Sequence, residues 1–168
     1  ECPTVAGLAA RVETRLAGEQ DLVLPPIQRV ERVGHLPLSF AQQRLWFLHQ
    51  LDQRSSFFNM HQAVRLKGVL NIAALEQSLN EVFRRHEVLR TRFVAVDGLP
   101  VQVIDPPPPF SLALEDLSGW TRAEQETKVL AFSKEEAHHS FDLTQAPLLR
   151  IRLLRLDREE HVVLLTMH

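Results

Sequence analysis

Residues 71–104 read NIAALEQSLNEVFRRHEVLRTRFVAVDGLPVQVI, and the hydrophobic period of this stretch changes once. Ile72, Leu75, Leu79, Val82, Phe83, His86 and Leu89 recur at three- and four-residue steps behind Asn71, whose short polar side chain suits a helix N-cap. The spacing predicts a helix over 71–89. Thr91 to Val96 and Pro100 to Ile104 then carry Phe93, Val94, Val96, Val101, Val103 and Ile104, and they flank Asp97-Gly98, a pair that tolerates the positive φ of a tight hairpin turn. A helix running into a two-stranded hairpin places the chain in the α+β class.

Toward the C-terminus, Pro106 to Pro109 cannot donate backbone hydrogen bonds and close the second hairpin strand. Trp120 to His139 has a helical pattern, with Val129, Phe132 and Ala137 as inward positions. Leu148 to Leu156 and His161 to Met167 are dense in Leu, Ile and Val and are separated by Asp157-Arg158-Glu159-Glu160, so they are expected to pair as buried strands. Toward the N-terminus, Val64 and Leu66 before Gly68 favour a strand over 61–68. Ser39 can cap a helix whose Phe40, Leu45, Phe47, Leu48 and Leu51 predict a mostly buried stripe. Val5, Leu8, Ala9, Val12 and Leu16 mark a short amphipathic helix within 3–17, behind Thr4 as cap. Between these helices, Gly18 to Leu36 is polar and carries Pro25-Pro26 and Gly34, which predicts a linker and a domain boundary.

The 168 residues are 45% hydrophobic and 24% charged, an ordinary globular composition with length for one sizeable core. A formal charge of -2 gives no field to gather phosphate backbones or anionic lipid, so neither nucleic acid nor a membrane surface is an expected partner. Without a spanning apolar run or a signal-like start, the expected location is cytoplasmic. Cys2 is the single cysteine and reads as a small, partly buried thiol.

Candidate chemistry is sparse. His168 ends an apolar strand, where a rigid element can hold an imidazole at the edge of a core; it is equally the last residue of the chain. His138 and His139, with Asp142 beyond them, point about 100° apart on a helix and cannot serve one proton or one metal together, so they read as residues favoured at a helix C-terminus. Arg84, Arg85, Arg90 and Arg92 crowd together, but Glu81 and Glu87 offset them and no aromatic residues interleave, so local ion pairing is expected. Glycine-rich phosphate loop, nucleophile elbow and Cys/His metal spacing are all missing.

Two ordered motifs go further. Leu36-Pro37-Leu38-Ser39-Phe40-Ala41-Gln42-Gln43-Arg44-Leu45-Trp46-Phe47-Leu48 resembles the opening motif of the condensation domains of non-ribosomal peptide synthetases, and Arg85 to Phe93, RHEVLRTRF, resembles their second motif. Phe141-Asp142-Leu143, Pro147-Leu148 and Arg150 to Leu156 look like the stretch before the third motif, HHxxxDG, and Thr166-Met167-His168 looks like its start. The resemblance implies a chloramphenicol-acetyltransferase-like fold in which residues 36–168 form the N-terminal lobe, a mixed sheet packed with helices. It also implies that the second histidine of HHxxxDG is the one associated with catalysis, while the first, here His168, mainly shapes the site. Arg85 is implied to shape the site by pairing with the motif's aspartate. Residues 1–17, with Cys2-Pro3-Thr4 at the start, look like the last helix of a carrier protein, with 18–35 as linker.

The activity implied is amide formation between donor and acceptor thioesters delivered on phosphopantetheine arms by two carrier proteins, with no cofactor held covalently in this chain and no metal. The C-terminal lobe of the same domain is a further implied partner, and without it the chain alone is expected to be inactive. The alternatives are a lobe of an epimerisation domain, against which Arg44-Leu45-Trp46 favours condensation, and a non-catalytic binding or structural module.

Overall fold

In the computed structural model, residues 4–18, 26, 28, 31–32, 34–107 and 109–168 are described. Cys2 and most of the expected 18–35 linker lie outside them. The chain divides into two compact units, Glu1–Arg32 and Val33–His168.

In the first unit, α1 spans Val5–Gly18. Thr4 caps it as expected, its Oγ1 accepting the Gly7 N–H at 3.1 Å. The apolar Val5, Leu8 and Val12 are exposed.

The second unit runs β1 (Leu36–Pro37), α2 (Phe40–Leu51), β2 (Met60–Lys67), α3 (Ile72–Arg85), a 3₁₀ turn (Glu87–Arg90), β3 (Thr91–Val96), β4 (Leu99–Ile104), β5 (Ala113–Asp116), α4 (Arg122–His138), β6 (Leu149–Asp157) and β7 (Glu160–Met167). The hairpin turn is as anticipated, with Asp97 and Gly98 at φ 51° and 78°. β3 and β4 form a three-stranded sheet with β1, and the other sheet has the order β2-β7-β6-β5, in which β5 lies parallel to β6 and the other pairs are antiparallel.

β6 and β7 are the centre of the core because both of their faces are covered. On one face Leu149, Ile151 and Leu153 meet Phe83 of α3, with Val163, Leu165 and Met167 beside them. On the other, Leu154, Leu156, Val162 and Leu164 meet Val129 and Phe132 of α4. β7 carries the aliphatic run Val162 to Leu165, and β6 carries Leu149, Ile151, Leu153, Leu154 and Leu156 between Arg150, Arg152 and Arg155; this density of leucine, isoleucine and valine made both strands recognisable in the sequence. Leu75 and Leu79 join Phe83 in its cluster, so α3 packs on the face formed by β6 and β7.

Several expectations change. The α-helix predicted to Leu89 stops at Arg85; His86 is an extended, exposed C-cap (φ -108°), and the tighter turn that follows carries Leu89 into the Phe83 cluster while leaving Val88 exposed. α2 is not mostly buried. Leu45, Trp46 and Leu48 are half-buried, whereas Phe40, Phe47 and Leu51 are 91%, 62% and 69% exposed, because the stripe is wider than the surface it rests on. The fully buried positions of α4 are Gln125 and Glu136 rather than apolar residues. Gln125 donates to the carbonyls of Leu117 and Leu156, at 3.0 and 2.8 Å, which satisfies an otherwise costly buried amide. β5 carried no alternating pattern; its four residues are all exposed, and only the flanking Leu112 and Leu117 are buried.

Candidate functional site

His168 follows directly on β7, and its backbone N–H donates to the Leu148 carbonyl at 3.2 Å, so the imidazole is carried by the core sheet. The ring is half-buried and meets Phe141 edge-on, at 6.3 Å between centroids and 71° between planes. Burial pushes its pKa below the ordinary imidazole value, and His49 of α2 adds to this. Concavities lie on two sides of it. One, of about 190 Å³, is walled by Leu45 and Trp46 of α2, Val88 and Leu89 of the 3₁₀ turn, and Phe93, Leu143 and Leu148. The other, of about 250 Å³, has Leu48, His49, Asp52, Ser55, Phe57 and Phe58 along it.

The walls are fixed locally. Ser39 and Gln42 form a reciprocal capping box, Ser39 Oγ accepting the Gln42 N–H at 3.3 Å and Gln42 Oε1 accepting the Ser39 N–H at 2.8 Å. Gln102 of β4 donates to the Pro37 carbonyl at 2.7 Å, tying the approach to α2 onto the hairpin. The turn bearing Phe141 is held where Asp142 Oδ1 accepts from the Thr144 hydroxyl and N–H at 2.7 and 2.9 Å, bonds that also lower the Asp142 pKa. The Phe93 N–H donates to the Leu143 carbonyl at 2.8 Å.

Arg85 is not brought to this place. Its side chain is 66% exposed on α3 and pairs with Glu81 at 2.6 Å; it lines neither concavity. Arg84 shares Glu81 at 2.7 Å, Arg90 pairs with Glu87 at 3.5 Å and Arg92 with Asp105 at 2.9 Å, which is the local ion pairing the sequence indicated. The hydrogen bonds from Arg84 and Arg85 hold the Glu81 carboxylate at a pKa of about 2. His138 and His139 are the last residue and the C-cap of α4, and His138 Nδ1 lies 2.7 Å from the Lys134 carbonyl. Among the described residues no His, Cys, Asp or Glu cluster is arranged to hold a metal ion, and no helix is long and apolar enough to cross a membrane.

Two polar constellations near His168 were not read from the sequence. Glu136 of α4, with a side chain only 9% exposed, accepts from Arg150 at 3.1 Å and pairs with Arg152 at 3.1 Å, both on β6. His61 of β2 bridges Thr166 of β7 and Ser133 of α4, with 2.8 Å from each ring nitrogen to a hydroxyl. The available signal was arginine inside an otherwise apolar strand, since a charge there must find a partner.

A mixed sheet flanked by helices, with a histidine ending its central strand beside the α2 wall, is the N-terminal portion of a condensation domain. The chain belongs to that family, whose model, described as "Condensation domain", matches residues 32–168. It is 45% identical over 166 residues to a linear gramicidin synthase of Brevibacillus parabrevis, and likewise to malpinin synthetase of Mortierella alpina, covering 99% of this chain and 2% of each relative. Among solved structures, the first condensation domain of the calcium-dependent antibiotic synthetase in complex with a substrate analogue has a TM-score of 0.72 at 25% identity, over 80% of this chain and 32% of that one. The starter condensation domain of rhizomide synthetase gives 0.72 at 27%, over 80% and 30%. The expected chloramphenicol-acetyltransferase-like fold and the peptide-synthetase relationship therefore hold, and this chain spans only a small part of the synthetases it matches.

Proposed function

We propose that residues 36–168 supply one wall of a site that forms an amide bond between two thioesters held on carrier proteins. In this step the amine of the acceptor aminoacyl group attacks the donor thioester carbonyl. A C–N bond forms, the C–S bond breaks, and the donor pantetheine thiolate leaves and takes up the proton the amine gives away. Much of the rate then comes from holding two tethered reactants face to face. The observation that carries this reading is the placement of His168, half-buried on a rigid strand end between two concavities, in a chain of this family.

The concavities have room for the thioester ends of phosphopantetheine arms, whose chemistry is to present the acyl groups as activated esters. His168 shapes the site, Trp46 and Leu45 form its apolar side, and exposed Phe40, Phe47 and Leu51 suit cover by the C-terminal lobe. Arg85, ion-paired to Glu81, is proposed to exchange that partner for the motif's aspartate when the rest of the domain is present. The exposed apolar residues of α1 fit the last helix of a carrier protein, and the match to synthetases extends over 99% of the chain. The test offers donor- and acceptor-loaded carriers to the whole domain and to the 168-residue chain and follows dipeptidyl thioester by mass spectrometry. Product from the whole domain and none above background from the chain is expected. Product from neither, across a panel of loaded carriers, overturns the proposal.

A further inference from the structure

We propose that Arg150 is a positioning residue for His168, acting through the Phe141 ring. The proposal deepens the function given above, and it stands on a run of contacts no motif announced. Arg150 lies opposite Thr166 in the β6–β7 register, close to where the His168 N–H meets the Leu148 carbonyl. Its guanidinium carbon sits 3.8 Å from the centroid of the Phe141 ring, and the Phe141 ring in turn meets His168 edge-on. Phe141 is 6% exposed but belongs to a turn without helix or strand bonds of its own, so side-chain packing sets the ring's orientation.

Arg150 can set it because its own plane is locked. Nε donates to Glu136 Oε2 at 3.1 Å, Nη1 to the Ser140 carbonyl at 3.3 Å, and Nη2 to the His139 and Glu136 carbonyls at 2.6 and 3.2 Å. All three nitrogens are engaged, in the fork geometry that distinguishes arginine from lysine. The carbonyls belong to the last turn of α4 and just beyond, where a cation is favoured by the helix dipole as well. The buried Glu136 thus fixes the arginine, the arginine fixes the phenyl ring, and the ring fixes one side of the imidazole. The other side faces α2, where His49 and Asp52 line the second concavity.

A residue that merely capped α4 would alter stability and leave His168 as it is, so the test reads the histidine directly. Nitrogen-15 NMR of the 168-residue chain follows the His168 ring in wild type, Arg150→Met, which keeps the stem, and Arg150→Lys, which keeps the charge. In both variants the ring resonances are expected to lose the Phe141 ring-current shift, and the titration of His168 to move up toward the ordinary imidazole value. Unchanged His168 signals in folded Arg150→Met overturn the proposal, and so does full rescue by lysine, which would reduce the effect to charge. If Arg150→Met does not fold, Glu136→Gln carries the test: it keeps Arg150 and Phe141 but removes the carboxylate that fixes the guanidinium, and is expected to produce the same changes at His168, so that unchanged signals there overturn the proposal. Because no readout uses turnover, absence of amide formation by the intact domain bears on the proposed function and not on this inference.

Discussion

Replacing Phe83 by alanine removes the fully buried side chain of α3, and with it the main attachment of that helix to the central sheet. Phe83 is 1% exposed, packs against Leu149, Ile151 and Leu153, and stacks tilted on Phe110 at 5.1 Å between centroids. A buried aromatic side chain withdraws roughly 150–250 Å² from water, which at about 25 cal/mol per Å² is roughly 4–6 kcal/mol, part of it retained by the alanine methyl. Measured Phe→Ala costs of about 3–5 kcal/mol include the cavity left behind. Against a domain stability of about 5–15 kcal/mol this is a third or more of the total in most cases. Val88→Ala is the control, since Val88 lies nearby in sequence but is 71% exposed and should change stability by no more than about 0.5 kcal/mol. Urea titrations followed by far-UV circular dichroism and by tryptophan fluorescence measure both variants, and a shared midpoint with an unchanged m-value licenses the comparison. A Phe83→Ala midpoint indistinguishable from that of Val88→Ala would refute the placement of α3 on β6.

His61→Ala leaves the buried Thr166 hydroxyl and Ser133 without their bridge, and is expected to lower stability by about 1–3 kcal/mol in the same titration, whereas a simple edge-strand residue would lose little. Stability should also fall with acidity in two stages. Burial lowers the pKa values of His161 and His168 below 6.5, so folding disfavours their charged forms; this contribution is complete above pH 6.5 and is lost as the pH drops through the lowered values. Glu160, held at about 2 by Arg122 and Arg65, contributes fully above its ordinary 4.5 and is lost between there and about 2. Thermal melts across this range check both stages; His161→Gln should reduce the first to the His168 part and spare the second.

What was legible in the sequence were the elements whose physics is local or one-dimensional. The caps at Asn71 and Ser39, the Asp97-Gly98 turn and the double-sided apolar strands declare themselves through residue type and spacing alone. β5 did not, because four exposed residues joined to a parallel neighbour have no alternation to read. The burial of α2 was misjudged because a helix stripe states what could be covered and not what covers it. The surroundings of His168 depend on Arg150, Phe141 and Glu136 meeting across α4, the following turn and β6, and pairing between separate elements leaves no periodic trace. Arg85 was noticed through its motif, yet its neighbour in this chain is Glu81, one helical turn away.

The most direct measurement of the central claim is the location of a donor thioester on the protein. A carrier bearing a pantetheine arm with a photoreactive group in place of the acyl carbon is irradiated with the intact domain, and the labelled peptides are sequenced. Label is expected on peptides containing Trp46, Val88 or His168, the walls of the concavity at the end of β7. Label confined to the opposite end of that strand, around His161 and Arg158, would contradict it.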